Sequence, residues 1–171
     1  MLEEFKDLNE NPIMNCGVTV GLPNEDEPTK WKITLSGPKD TSYSGGIFLL
    51  SIQFPSNYPE APPEICFITP IYHVNVNPRV PKSPRDEPLG HISLSTLYKW
   101  RKEYKIKEII YHIYMLFYMG NPDSPYELDM AYEMKNNRKL FEEKIKYFTK
   151  KYASTHVIYC DREHDWNFNY P

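Results

Sequence analysis

Ile47-Phe48-Leu49-Leu50-Ser51-Ile52-Gln53-Phe54 sets Phe48, Leu50, Ile52 and Phe54 against Ile47, Leu49, Ser51 and Gln53. Successive side chains of an extended chain point to opposite faces, so the first set makes one strongly apolar face that a core must cover. Segments rich in β-branched and aromatic residues lie on both sides: Gly17 to Leu22 and Lys30 to Leu35 before it, Glu64 to Ile68 after it. Turn formers separate them, and the expectation is a four-stranded antiparallel meander with one face on a core.

Further out the periodicity changes. Leu2, Phe5 and Leu8 share a helical stripe, with Glu3, Glu4, Asp7 and Glu10 largely elsewhere and Pro12 as a stop. From Thr69 to Leu89, Pro70, Pro78, Pro81, Pro84 and Pro88 impose an irregular backbone. Ile106, Ile109, Ile110, Ile113 and Phe117 then recur at three and four residues, and Gly120 with Pro122 reads as the glycine stop of a buried central helix. Two helical patterns follow, one on Leu128, Ala131 and Tyr132, the other on Leu140, Phe141, Ile145, Phe148 and Tyr152. The order predicts an α+β domain: N-terminal helix, four-stranded meander, irregular loop, central helix and two C-terminal helices, all segregated to one side of the sheet.

Bulk composition sets the outer limits. A chain of 171 residues, 40% hydrophobic and 15% aromatic, buries one substantial core and is too short for two ordinary domains. Twenty basic and 23 acidic residues, net charge -3, give no basic face, so no nucleic-acid partner is expected. Cys16, Cys66 and Cys160 are odd in number and widely separated, which suits a reducing compartment. Cys160 has His156 and His164 four residues to either side, a helical face for a metal, but no fourth ligand at matching spacing is evident, so neither metal nor cofactor is expected. Met1-Leu2-Glu3-Glu4 offers no signal peptide, and the apolar run Ile109 to Met119 is too short for a bilayer and interrupted by His112. A cytoplasmic or nuclear location without membrane insertion is the resulting expectation.

Three runs carry a resemblance: Trp31-Lys32-Ile33-Thr34-Leu35-Ser36-Gly37-Pro38, Tyr43-Ser44-Gly45-Gly46-Ile47-Phe48, and Phe54-Pro55-Ser56-Asn57-Tyr58-Pro59-Glu60-Ala61-Pro62-Pro63. Tyr72-His73-Val74-Asn75, Trp100 and Asn121-Pro122-Asp123-Ser124-Pro125 continue it. Together they resemble the ubiquitin-conjugating enzyme family over roughly residues 1 to 152, leaving 153 to 171 as an aromatic and acidic tail. Taken singly, each of these residues has an ordinary structural reading as turn or core.

The resemblance implies the UBC fold and a chemistry in which ubiquitin or a ubiquitin-like protein is carried as a cysteine thioester. A thiol ionises near neutral pH and leaves well, whereas a serine hydroxyl is a poor nucleophile without an adjacent base. In Gly90-His91-Ile92-Ser93-Leu94, the position matching the family cysteine is Ser93. His91 would share a strand face with it. No Gly-x-Ser-x-Gly turn supports serine hydrolase chemistry. Asn75 matches the family asparagine, which either orders the site loop and stabilises an oxyanion or caps a turn. His73 is expected to hydrogen-bond the loop, and Ser124, beside Asp123, occupies the stretch near the attacking lysine.

Several positions depart from the family pattern. Val74 replaces a proline, which alters the rigid turn at the site, and the stretch from Asn75 to Ser93 is lengthened. Arg101-Lys102-Glu103 follows Trp100, and Glu60 takes a bulky apolar site before Ala61, on two loops that in the family dock the ligase. The first helix offers Lys6 among four acids where basic residues usually face the activating enzyme. These features are similar to catalytically inactive family variants. The leading reading is therefore a non-catalytic binding or scaffold module whose partners are ubiquitin or a ubiquitin-like protein and a conjugating enzyme, ligase or adaptor. The alternative is an active conjugating enzyme carrying a Cys-to-Ser substitution at position 93. A ubiquitin-binding protein outside any cascade is a third. In the tail, Tyr159, Trp166, Phe168 and Tyr170 among acids suggest either a partner-binding peptide or rings folded back on the domain.

Overall fold

The computed structural model describes residues 1–13, 17–21, 27–79, 82–83 and 85–154. A helix, α1 (Leu2–Glu10), leads into a meander of β1 (Val18–Gly21), β2 (Lys30–Ser36), β3 (Ile47–Gln53) and β4 (Glu64–Phe67). The strands pair in sequence order and are all antiparallel. Four helices follow: α2 (Ser95–Tyr98), α3 (Ile106–Leu116), α4 (Leu128–Asn136) and α5 (Arg138–Tyr152). This is the expected α+β architecture, with one short helix, α2, that its four residues left no periodicity to announce.

The alternation in β3 does what the strand period requires. Phe48, Leu50 and Ile52 are buried, and Trp31, Ile33 and Leu35 of β2 lie beside them on the same face. Trp31 packs edge-on between Phe5 of α1 and Phe54, with ring centroids 5.3 and 4.6 Å away. Ile106, Ile109, Ile110 and Ile113 of α3 supply the opposing layer of the core. On α5, Phe148 stacks on Tyr72 at 5.3 Å, and the Ala153 carbonyl accepts a 2.8 Å hydrogen bond from Ile47 N–H. The folded body thus reaches the first residue assigned by sequence to the tail.

Two expectations need correction. Helix α3 ends at Leu116, ahead of Gly120, and Gly120 has no left-handed backbone. A Cβ there would meet Val74 Cγ1 at 3.0 Å, so the glycine provides close approach and does not terminate the helix. On α4 the apolar stripe is misassigned in part: Ala131 is buried as expected, together with Met130, but Leu128 and Tyr132 are 80% and 68% exposed. A nine-residue helix holds too few turns for spacing alone to choose its buried face. Glu4, set off the apolar stripe of α1 in the sequence, is half-buried. Its Oε1 accepts from Ile106 N–H at 3.1 Å, satisfying a free donor at the start of α3, and its Oε2 accepts from the Tyr58 hydroxyl at 2.8 Å.

Candidate functional site

The irregular segment after β4 is held to the core by its own polar side chains. His73 is buried. Its Nδ1 accepts from Asn75 N–H at 3.0 Å, so the proton sits on Nε2, which donates to the Leu116 carbonyl at 3.0 Å. Burial pushes the imidazole down to about 4, because the charged form would lose its water. Val76 N–H donates to the His73 carbonyl at 3.1 Å, closing the turn that Val74 was expected to alter. Val74 is buried and packs toward Gly120, so the turn is closed by hydrogen bonds and packing in place of a proline ring.

Asn75 is 1% exposed, and its amide is wholly engaged. Nδ2 donates to the carbonyls of Asn121 at 2.9 Å and Ser124 at 3.0 Å, and Oδ1 accepts from Asn121 N–H at 2.7 Å. Both amide hydrogens are therefore spent on the 121–124 loop, and this arrangement leaves no donor for an oxyanion. Ser124 takes part through its backbone; its side chain is exposed, and neighbouring Asp123 is paired with Lys135 at 2.6 Å.

Ser93 sits where the main chain runs back past this turn. Its N–H donates to the Asn75 carbonyl at 2.8 Å, and Ile92 bridges Val76. Ser93 is half-buried, and its hydroxyl has no hydrogen-bond partner among the described residues. His91 is two residues away, but its ring is engaged elsewhere. Nδ1 meets the Tyr126 hydroxyl in a short contact, and Nε2 lies 3.4 Å from Glu87 Oε2. The Tyr126 hydroxyl is held well above its usual range by burial and by hydrogen bonding to Tyr98. The Tyr98–Tyr126–His91–Glu87 group was not legible in the sequence, since Tyr98 and Tyr126 lie on segments separate from each other and from the loop that carries Glu87 and His91.

The lengthened loop is pinned to the same neighbourhood. Arg79 forms a two-pronged ion pair with Glu127, Nη2 to Oε2 at 2.7 Å, and Asn77 Nδ2 donates to the carbonyls of Glu87 and Pro88 at 2.8 and 3.0 Å. Cys66 is buried under His91, which it pairs as an isolated bridge, and burial pushes its thiol up to about 12. It is no substitute for a reactive cysteine.

The residues predicted to meet partners fall in two places. Glu60 and Lys102 come together at 3.2 Å, and Trp100 Nε1 donates to the Pro59 carbonyl at 2.8 Å, so the 58–63 and 99–105 loops form one surface on which Arg101 is exposed. Lys6 stands apart on α1, exposed and 3.7 Å from Glu10. Among the described residues no cluster of three or more His, Cys, Asp or Glu could hold a metal, and no helix is long and apolar enough to cross a membrane. Cys160, His156, His164 and the aromatic tail lie outside the described residues.

The surfaces singled out by resemblance sit on one frame of sheet, turn and helices. Residues 1–149 match the protein-family model described as ubiquitin-conjugating enzyme. With that match covering most of the 171 residues, the chain belongs to the ubiquitin-conjugating enzyme family, and its role lies in ubiquitin conjugation.

Proposed function

We propose that this chain is a non-catalytic member of its family, a binding or scaffold module for ubiquitin or a ubiquitin-like protein together with a conjugating enzyme, ligase or adaptor, acting in the cytoplasm or nucleus. The observation that carries the reading is Ser93 at the position of the thioester cysteine, with no base on its hydroxyl among the described residues. An unassisted serine hydroxyl is a weak nucleophile at neutral pH, and the nearest histidine is already engaged by Tyr126 and Glu87. The Glu60–Lys102 pair on the ligase-side loops supports it.

The second reading, an active enzyme whose cysteine has been replaced by Ser93, draws support from the complete clamp of Asn75 on the 121–124 loop, which preserves a site frame. Intact-mass analysis after incubation with ubiquitin, activating enzyme and ATP separates the two. The expected result is no adduct while a conventional conjugating enzyme charges in parallel. An oxyester mapped to Ser93, or fast transfer to lysine by Ser93→Cys, overturns the non-catalytic reading.

A further inference from the structure

A concave site lies between the loop after β2 and the flank of α5. It encloses about 460 Å³, a volume in the range of small-molecule sites. Lys39 enters from the loop, and Arg138 and Lys146 from α5, with Tyr118 lining the same space. Neither Lys39 nor Lys146 has an ion-pair partner among the described residues, and Arg138 is paired through Nε with Glu142 at 2.8 Å. Like charges around a concavity repel one another and raise the local positive potential, so the arrangement favours an anion. It is also unexpected from bulk charge: α5 carries six basic residues against two acidic ones, in a chain of net charge -3.

The lining is not purely cationic. Asp40 and Glu142 share it, and a carboxylate is an acceptor that suits hydroxyl donors and repels phosphate. Tyr118, 45% exposed, offers a ring face beside the charges. We propose that this cleft binds a small ligand carrying phosphate groups on a hydroxylated ring, with Lys39, Arg138 and Lys146 on the phosphates, a carboxylate on the hydroxyls and Tyr118 against the ring. The chemistry is shared by nucleotides and inositol phosphates. A narrower recess lined by Tyr43, Phe117, His73 and Gly120 adjoins the cleft. The site stands apart from Ser93 and is independent of whether that position is catalytic.

The test is calorimetric and NMR titration of the full chain with ATP, with inositol hexakisphosphate and with inorganic pyrophosphate at matched ionic strength. Saturable binding of either hydroxylated ligand, about tenfold tighter than pyrophosphate and with shifts confined to residues 39–43, 117–118 and 138–146, is expected. Which of the two binds identifies the source. Lys39→Glu with Lys146→Glu is expected to weaken binding at least about tenfold while leaving circular dichroism and Tm unchanged. Lys39→Ala alone, on an exposed loop, is the second variant should the pair disturb α5. No saturable binding, pyrophosphate binding equally well, or affinity unchanged in both variants overturns the proposal.

Discussion

Asn75 and Asn121 are locked in a reciprocal pair: Oδ1 of Asn75 accepts from the Asn121 N–H at 2.7 Å, and its Nδ2 donates back to the Asn121 carbonyl at 2.9 Å. One buried side chain thereby stands in for a piece of backbone ladder between two loops that have no strand in common.

Asn75→Ala removes this clamp and leaves buried loop groups unsatisfied, so it is expected to cost about 3 kcal/mol of stability. Urea melts check the figure, and hydrogen exchange should quicken at Asn121 and Ser124. A side chain poised only to meet an oxyanion would leave both unchanged.

His73 gives a pH dependence. Its pKa is held at about 4 when folded and is about 6.5 when unfolded, so the unfolded chain binds the proton first. The contribution is fully present above pH 6.5 and is lost as pH falls toward 4, on the order of 3 kcal/mol in all. Stability measured from pH 7 to 4.5 should decline accordingly, with the His73 ring still neutral by NMR at pH 5.5.

Gly90 and Gly45 separate strain from space. Both have φ of +79°, but a Cβ at Gly90 would lie 2.0 Å from the Phe67 carbonyl oxygen, whereas at Gly45 nothing is within 4 Å. Gly45→Ala should cost about 1 to 2 kcal/mol from backbone conformation alone. Gly90→Ala should cost at least about 3 kcal/mol, because the chain beside β4 must also move. Equal losses in thermal melts would refute the packing argument.

Cys66 is expected to resist alkylation. With its thiol pushed up to about 12 by burial, the thiolate fraction at pH 8 falls roughly three orders of magnitude below that of a free cysteine. Iodoacetamide labelling followed by peptide mapping, native against urea-unfolded, checks the ratio.

The sequence by itself determined the elements whose signal is local. Alternation in Ile47 to Phe54 set the buried face of β3, and spacing from Ile106 to Ile113 set that of α3, because strand and helix periods are properties of the backbone. The serine at position 93 was equally legible, being a matter of identity. Tertiary structure decided what each polar or marginal side chain meets. His91 was expected to share a strand face with Ser93, yet Tyr126 and Glu87 capture its ring; Glu4 lies off the apolar stripe of α1 and serves the start of α3, 102 residues away. Leu128 and Tyr132 are spaced like core residues and face water because Met130 and Ala131 fit the space beneath α4. A hydrogen-bond partner or a burial choice depends on which distant segments the fold brings into reach, and a backbone period carries no record of that.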